Sequence, residues 1–383
     1  MLNRRTFTQS AAAALAGAQT GRGYRAAIIG HTGRGNYGHD WDRAFHGFPS
    51  VEVLAVADPD DAGRRKAMER SGARREYRDY RQMLDREKPD VVAICPRWLD
   101  QRVAMVTAAA EHGAHILLEK PFARDLEDAD RMVAAVEKHG VKVQVGHTAR
   151  PHPVVRQVRR MLREGAIGRL MEMRARGKED RRAGGEDLMV LGTHCFDLMR
   201  LFAGDPRWVF AHVTQGGREA DRGLAREGTE PVGPVAGDEV AALFAWEGGA
   251  HGYFGSKASD VTAGTRFGVT LYGSRGVIAV PLGAVPNEPA MILRTESWAM
   301  EGGRGGWERI EPPPDGRDGA RESANAMMVA DLLDAIARQR EPVCGARDGR
   351  WAVEMVMGVY QSQLQGGRVA FPLRDRRHPL SPM

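Results

Sequence analysis

Only seven of the 55 basic side chains in this 383-residue chain are lysines, and one of them, Lys120, stands where an ammonium group could do chemistry. It ends the apolar run Ala114 to Glu119 and is followed by Pro121. A lysine at a strand end, held by a proline that sets a cis or otherwise rigid turn, is aimed into a crevice and not out to water. Partly desolvated there and near a positive charge, it would have a lowered pKa and could take the proton of a hydroxyl group. A second constellation is His194 with Asp197. Three residues apart in a helical stretch, they share a face, so that the carboxylate can orient the imidazole. Asp187 belongs to the same face. Arg97 and Trp98 follow the run Val91 to Cys95, and His147 and Arg150 follow the run Val141 to Gly146. Arg97 could hold a carboxylate bidentately and Trp98 could stack on a sugar face, or the two could be a surface arginine and a domain-closing tryptophan.

Such residues act together only if strand ends share one edge. Tyr24 to Ile29 and Val51 to Ala57 are β-prone apolar runs that break at Gly30 and at Asp58-Pro59, and three more runs end at Cys95-Pro96, Glu119 and Gly146. Amphipathic stretches separate the later runs. From Asp125, apolar residues fall at Leu126, Ala129, Met132, Val133 and Val136 before Gly140 closes the helix. Alternating strand and helix predicts an α/β doubly wound parallel sheet, with ligands beyond the carboxyl ends of its strands. The loop after the first strand, Gly30-His31-Thr32-Gly33-Arg34-Gly35-Asn36-Tyr37-Gly38, fits a dinucleotide fingerprint in two registers. Either Gly30, Thr32 and Gly35 or Gly33, Gly35 and Gly38 take the three places. In both, residues without a Cβ let backbone N–H groups and a helix N-terminus approach a pyrophosphate. Asp58, at the end of the second run, is placed to accept both ribose hydroxyls, or alternatively opens the turn before Pro59. That carboxylate favours NAD over NADP, although Arg64 and Arg65 in the next helix could swing toward a 2′-phosphate.

Length and composition set the frame. A chain of this size, 42% apolar and 27% charged, suits two globular domains and excludes a disordered chain. No apolar run approaches the ~20 residues of a spanning helix. Charge alternates along the chain, and 48 of the 55 basic residues are arginine, a compositional habit that does not point to nucleic acid. Asn3-Arg4-Arg5-Thr6-Phe7 ahead of an alanine-rich stretch looks like a twin-arginine export signal, which predicts a periplasmic or otherwise exported protein, or a cytoplasmic one if the signal is inactive. Cys95, Cys195 and Cys344 are odd in number without CxxC spacing, so they read as small core residues. His31, His39 and His46 lack ligand spacing, and no metal is expected. The segments 216–237 and 286–321 read as long loops, either lids or subunit arms.

Glu119-Lys120-Pro121 after a short strand, followed by Leu126-Glu127 opening a helix, resembles the glucose–fructose oxidoreductase, inositol dehydrogenase and MocA (Gfo/Idh/MocA) family. The resemblance continues through Arg163-Glu164-Gly165-Ala166-Ile167-Gly168-Arg169-Leu170, Gly184-Gly185, Leu191-Gly192-Thr193-His194-Cys195-Phe196-Asp197, Gly273-Ser274-Arg275-Gly276 and the late helix from Trp351 to Gln365. It covers roughly Tyr24 to Leu373. It implies a nicotinamide-dependent oxidoreductase of sugars, polyols or related compounds. The implied architecture is a signal over 1–20, a Rossmann domain over 21–148, and an α+β domain over 149–383 whose open mixed sheet commonly forms an oligomer interface. The resemblance places Lys120 and His194 on the substrate, while the fingerprint and the strand ends put Gly30, Thr32, Gly33, Gly35, Asp58, Pro96 and Glu119 at the cofactor.

The chain departs from the family in two places. The fuller pattern has an aspartate four residues before the histidine, where this chain has Val190, an isopropyl group that cannot accept a substrate hydroxyl. If Asp187 to Phe202 is one helix, Asp187 lies about 10 Å along the axis from His194 and could replace that carboxylate only through the substrate. After the fourth strand, Arg97 and Asp100 stand where an asparagine and a histidine are usual. The expected reaction is hydride transfer at a carbinol or carbonyl carbon, with Lys120 as general acid or base and His194 binding or relaying at the same oxygen, oriented by Asp197. A redox-neutral NAD-dependent glycoside hydrolase or lyase and a catalytically silent sugar- or cofactor-binding protein are the alternatives. Substrate identity and reaction direction are not legible.

Overall fold

A computed structural model describes residues 23–258, 266–282, 289–296, 298, 306–312 and 324–382. The twin-arginine stretch and most of 286–321 lie outside the described residues. The chain divides into two compact units, one formed by 1–120, 131–151 and 314–347, the other by 121–130, 152–313 and 348–383.

In the first unit, β1 (Tyr24–Ile29), β2 (Val51–Ala57), β3 (Arg75–Tyr77), β4 (Val91–Ile94), β5 (His115–Leu118) and β6 (Val143–Val145) form one sheet in the order β3-β2-β1-β4-β5-β6. Every pairing is parallel. Ala26 to Ile29, Val91 to Ile94 and Ile116 to Leu118 are all buried, the near-continuous apolar pattern of strands covered on both faces. The order reverses between β1 and β4, which puts the switch-point crevice beside the glycine loop. After β2, Asp60 caps the helix Asp61–Ser71 by accepting the Gly63 N–H at 2.6 Å. The helix Ala324–Ala337 adds Met328, Val329, Leu332, Leu333 and Ile336 to the core built around Tyr24, Ile28, Val56 and Leu117.

One expectation fails here. No α-helix follows the glycine loop. Between β1 and β2 the backbone forms turns and a single 3-10 turn, Trp41–Arg43, preceded by Asp40 in the left-handed region with no side-chain cap. Glycines at 30, 33, 35, 38 and 47 lower helical propensity throughout this stretch, and the turn is anchored instead by aromatic burial of Tyr37, Trp41 and Phe45.

In the second unit, β7 (Leu170–Arg176), β8 (Trp208–Gln215), β9 (Arg218–Glu219), β12 (Glu239–Ala245), β13 (His251–Lys257), β14 (Gly268–Gly273), β15 (Gly276–Pro281), β16 (Met291–Leu293), β17 (Trp307–Arg309) and β18 (Val369–Ala370) form a ten-stranded sheet. Only β7 and β13 pair in parallel, so the sheet is mixed. On one face, Phe210 and Tyr253 flank Leu243 across three strands and are 47% and 42% exposed. The segment 216–237 is not a structureless loop. It holds β9, a 3-10 turn and the ribbon β10 (Arg226–Glu227) with β11 (Pro234–Val235). The single helix expected from Asp187 to Phe202 is two, Gly185–Val190 and Gly192–Ala203, broken at Leu191. Gly192 opens the second helix where a Cβ would press on the Phe254 ring. The axial distance from Asp187 to His194 expected for one straight helix therefore does not apply. No described helix is long and apolar enough to cross a membrane.

Candidate active site

The carboxyl ends of β1, β2, β4 and β5 converge on the glycine loop, and most of that loop is spent on itself. The Gly30, His31, Arg34, Asn36 and Gly38 N–H groups donate to main-chain carbonyls of the same unit. The Gly33 N–H donates to Asn36 Oδ1 at 2.9 Å and the Thr32 N–H to Asp58. The glycines explain this packing. A Cβ on Gly30 would enter the Tyr37 ring, one on Gly35 would meet the backbone nitrogens of Arg97 and Trp98, and one on Gly38 would meet the Glu119 carboxylate. Gly33 differs, with φ +79° and open space beside it. It is the loop's point of close approach for a ligand.

Asp58 follows directly on β2. Its side chain is buried, and Oδ2 accepts from Thr32 N at 2.9 Å, Thr32 Oγ1 at 2.8 Å and Tyr37 Oη at 2.8 Å, while Oδ1 accepts from Asp60 N at 2.9 Å. The Thr32 N–H also lies 3.2 Å from Oδ1, so each oxygen accepts at least two contacts, as many as the roughly four lone-pair sites of a carboxylate allow. Through these bonds Asp58 ties the glycine loop to the β2 edge. Burial and the neighbouring Asp58 charge push the Tyr37 hydroxyl well above its ordinary pKa, so it stays a donor. Arg64 is also committed, to the Asp58 carbonyl at 2.8 Å and to Asp61 at 2.9 Å.

Glu119 is a second internal tie. Its Oε2 accepts from Trp41 Nε1 at 2.7 Å and His39 N at 3.2 Å and lies 2.8 Å from His39 Nδ1, while Oε1 accepts from Lys120 N at 2.9 Å. Burial alone would raise its pKa, but the His39 hydrogen bond and the charges of His39, Lys120 and Arg102 outweigh it and hold the carboxyl at about 2. The buried Arg102 guanidinium donates to the Glu119 and Pro96 carbonyls, joining the ends of β4 and β5, and burial lowers its pKa to about 10. Pro96 and Glu119 therefore shape this edge from within.

Lys120 follows at the same edge, 5% exposed, and its bond to Pro121 is trans. His147, after β6, is buried with Nδ1 3.6 Å from Cys344 Sγ. Arg150 donates to the Val343 carbonyl at 2.6 Å. Arg97 is half-buried and its N–H donates to Gly35 O, while Trp98 carries the Arg34 guanidinium 5.7 Å from its ring centre and Arg34 also pairs with Asp100. The contacts of Tyr37, His39, Trp41 and Cys344 carry no motif that would have announced them.

In the second unit, His194 is half-exposed near the start of Gly192–Ala203, its ring edge-on to Phe267 at 6.4 Å, and Asp197 is buried three residues on. Asp187 is engaged within the fold. It is buried, accepts from Ser256 Oγ at 2.6 Å and from Glu179 N at 3.0 Å, and fixes the turn after β7. The three cysteines are free and buried, as expected.

A dinucleotide fits the first unit in its sheet order and in the open face of Gly33, although no α-helix follows the glycine loop. Residues 24–147 match the family profile described as oxidoreductase family, NAD-binding Rossmann fold, and residues 155–279 match that of the GFO/IDH/MocA C-terminal domain. The chain is 31% identical over 229 residues to levoglucosan dehydrogenase of Pseudarthrobacter phenanthrenivorans, covering 53% of this chain and 58% of that one. It is 33% identical over 230 residues to D-apiose dehydrogenase of Paraburkholderia graminis, covering 57% and 56%. The matched stretches thus span just over half the length of these relatives. A structure of levoglucosan dehydrogenase in complex with NADH and levoglucosan shares the fold at TM-score 0.73 and 20% identity, over 92% of this chain and 100% of that one. With residues 24–147 and 155–279 matched by the family's two domain profiles, the chain belongs to the Gfo/Idh/MocA oxidoreductase family.

Proposed function

We propose that this protein is an NAD-dependent oxidoreductase that transfers a hydride to or from a carbinol carbon of a sugar, polyol or related carbohydrate. The observation that carries the reading is Lys120, nearly buried at the carboxyl edge of a 3-2-1-4-5-6 parallel sheet in a chain of this family. The nicotinamide, when bound, supplies the hydride acceptor or donor. The chain's own part is to place an amine at the reacting oxygen, so that Lys120 moves the hydroxyl proton as the carbon is oxidised. His194, half-exposed on Gly192–Ala203, is the second candidate acid–base or hydrogen-bonding group, with Asp197 as its orienting carboxylate. Levoglucosan and D-apiose, named for the relatives, make anhydro-sugars and pentoses the first panel to test.

The test is absorbance of reduced nicotinamide when the full chain, NAD and each sugar are mixed. Net NADH supports the reading. Cleaved sugar with no change in cofactor absorbance replaces it by the redox-neutral hydrolase or lyase.

Two further parts of the reading concern place and assembly. The Arg4-Arg5 stretch supports twin-arginine export, and retention of an Arg4→Lys, Arg5→Lys chain in the cytoplasm would check it. The exposed Phe210 and Tyr253 on either side of the half-buried Leu243 support a homo-oligomer through this sheet face, which Leu243→Arg should dissociate in sedimentation.

A further inference from the structure

In this chain the residue conventionally charged with reading the ribose is out of reach, and its neighbour is not. Asp58 is buried with every lone-pair site engaged by Thr32, Tyr37 and Asp60. Freeing one oxygen for a ribose hydroxyl would unseat either the Thr32 turn or the Tyr37 hydroxyl, leaving a buried donor unpaired. Two residues on, Asp60 is exposed at the same sheet edge. Its N–H is held by Asp58 Oδ1 and its own Oδ1 by Gly63 N. These two bonds fix the direction of the Asp60 carboxylate, whose Oδ2 accepts no bond within the described residues. Gly63 abuts the glycine loop, since a Cβ there would overlap Thr32 Oγ1. The cap residue Asp60 therefore belongs to the turn that packs on Thr32, the residue before the open Gly33.

We infer that Asp58 is a positioning residue for the glycine loop and that discrimination between NAD and NADP at this edge is made by the exposed Asp60. The inference rests on the nicotinamide reading above. Asp60 presents a carboxylate oxygen to a 2′,3′-diol as acceptor, and the same charge repels a 2′-phosphate. Asp58 acts at one remove, through the backbone of Thr32 and of Asp60.

The experiment is calorimetric binding of NAD and of NADP to the full chain stripped of nucleotide, beside Asp60→Asn, Asp58→Asn, Thr32→Val and the double Asp58→Asn, Thr32→Val, with thermal melting of each. Asparagine keeps the helix cap at 60 but removes the charge. The expected result is a relative gain of about tenfold for NADP in Asp60→Asn at unchanged melting temperature. Asp58→Asn and Thr32→Val should weaken both nucleotides alike, leave their ratio unchanged, and show losses in the double variant that fall short of the sum, the mark of one shared interaction. A ratio that moves with Asp58→Asn, or stays fixed with Asp60→Asn, overturns the inference. Should Asp58→Asn not fold, Thr32→Val makes the same test of the loop. Failure of the unaltered chain to bind either nucleotide is a separate outcome. It overturns the nicotinamide reading and the Asp60 assignment together, while the melting data still judge the tie between Asp58 and Thr32.

Discussion

His39 and Glu119, eighty positions apart in sequence, meet at 2.8 Å between Nδ1 and Oε2 beneath the glycine loop. The carboxylate is buried and the imidazole half-exposed, so the pair joins the β5 edge to the irregular stretch that replaces the usual helix. Because the folded-state pKa of Glu119 is held near 2, below its ordinary value of 4.5, the unfolded chain binds more protons in between. The stabilisation is complete above about pH 4.5 and is lost as pH falls toward 2. Glu119→Gln should flatten this acid limb and cost about 1–3 kcal/mol at neutral pH. Denaturant unfolding of both chains between pH 5 and 2 measures it, and equal acid slopes would remove Glu119 from the account.

His378 works in the same direction at higher pH. It is buried near the C-terminus, its ring 6.0 Å from that of Tyr360, and its Nδ1 accepts the Leu380 N–H at 3.2 Å. Burial first, then the charge of Arg124, lowers its pKa from 6.5 to about 4. The unfolded imidazole protonates before the folded one, so stability is full above about pH 6.5 and declines as pH falls through 4. Replacing it by glutamine should remove that slope, as read from melting temperature against pH.

Lys120→Met should lower turnover by about 10²–10⁴-fold, the range for a positioned acid–base group, with nucleotide affinity nearly unchanged. The methionine keeps the length of the buried stem. Turnover equal to that of the unaltered chain would move the proton transfer to another residue, and steady-state kinetics on the first active sugar decide it.

Leu332→Ala should destabilise by about 2–5 kcal/mol, because the side chain is fully buried among Ile28, Val56 and Leu117 and the space would not close completely. A chain ending at residue 151 should for the same reason bind an apolar dye and melt without a cooperative transition, since it exposes the core face that Ala324–Ala337 covers.

The parallel sheet was legible because its signals are local. β1, β2, β4 and β5 are apolar runs ended by glycine, proline or a charged residue, and such runs need no partner to be recognised. Lys120 was legible for the same reason, as a lysine at a strand end ahead of proline. The amino-acid sequence by itself therefore determined the strand order's raw material, the cofactor edge and the family. Tertiary structure alone decided how the polar groups at that edge are used. Asp58 carries a readable motif, yet its lone pairs go to Thr32 and Tyr37. Glu119 has the expected spacing, yet it serves His39 and Trp41. Asp187 sits on the expected face, yet it is taken up by Ser256 once the helix breaks at Leu191. Helical periodicity marks one side of Ala324–Ala337 as apolar without naming the sheet it covers, and that choice assigns 314–347 to the first unit. The physical reason is common to all four. Burial pattern is periodic along the chain, whereas a hydrogen bond or a core contact depends on which distant groups the folded backbone brings within about 3–4 Å.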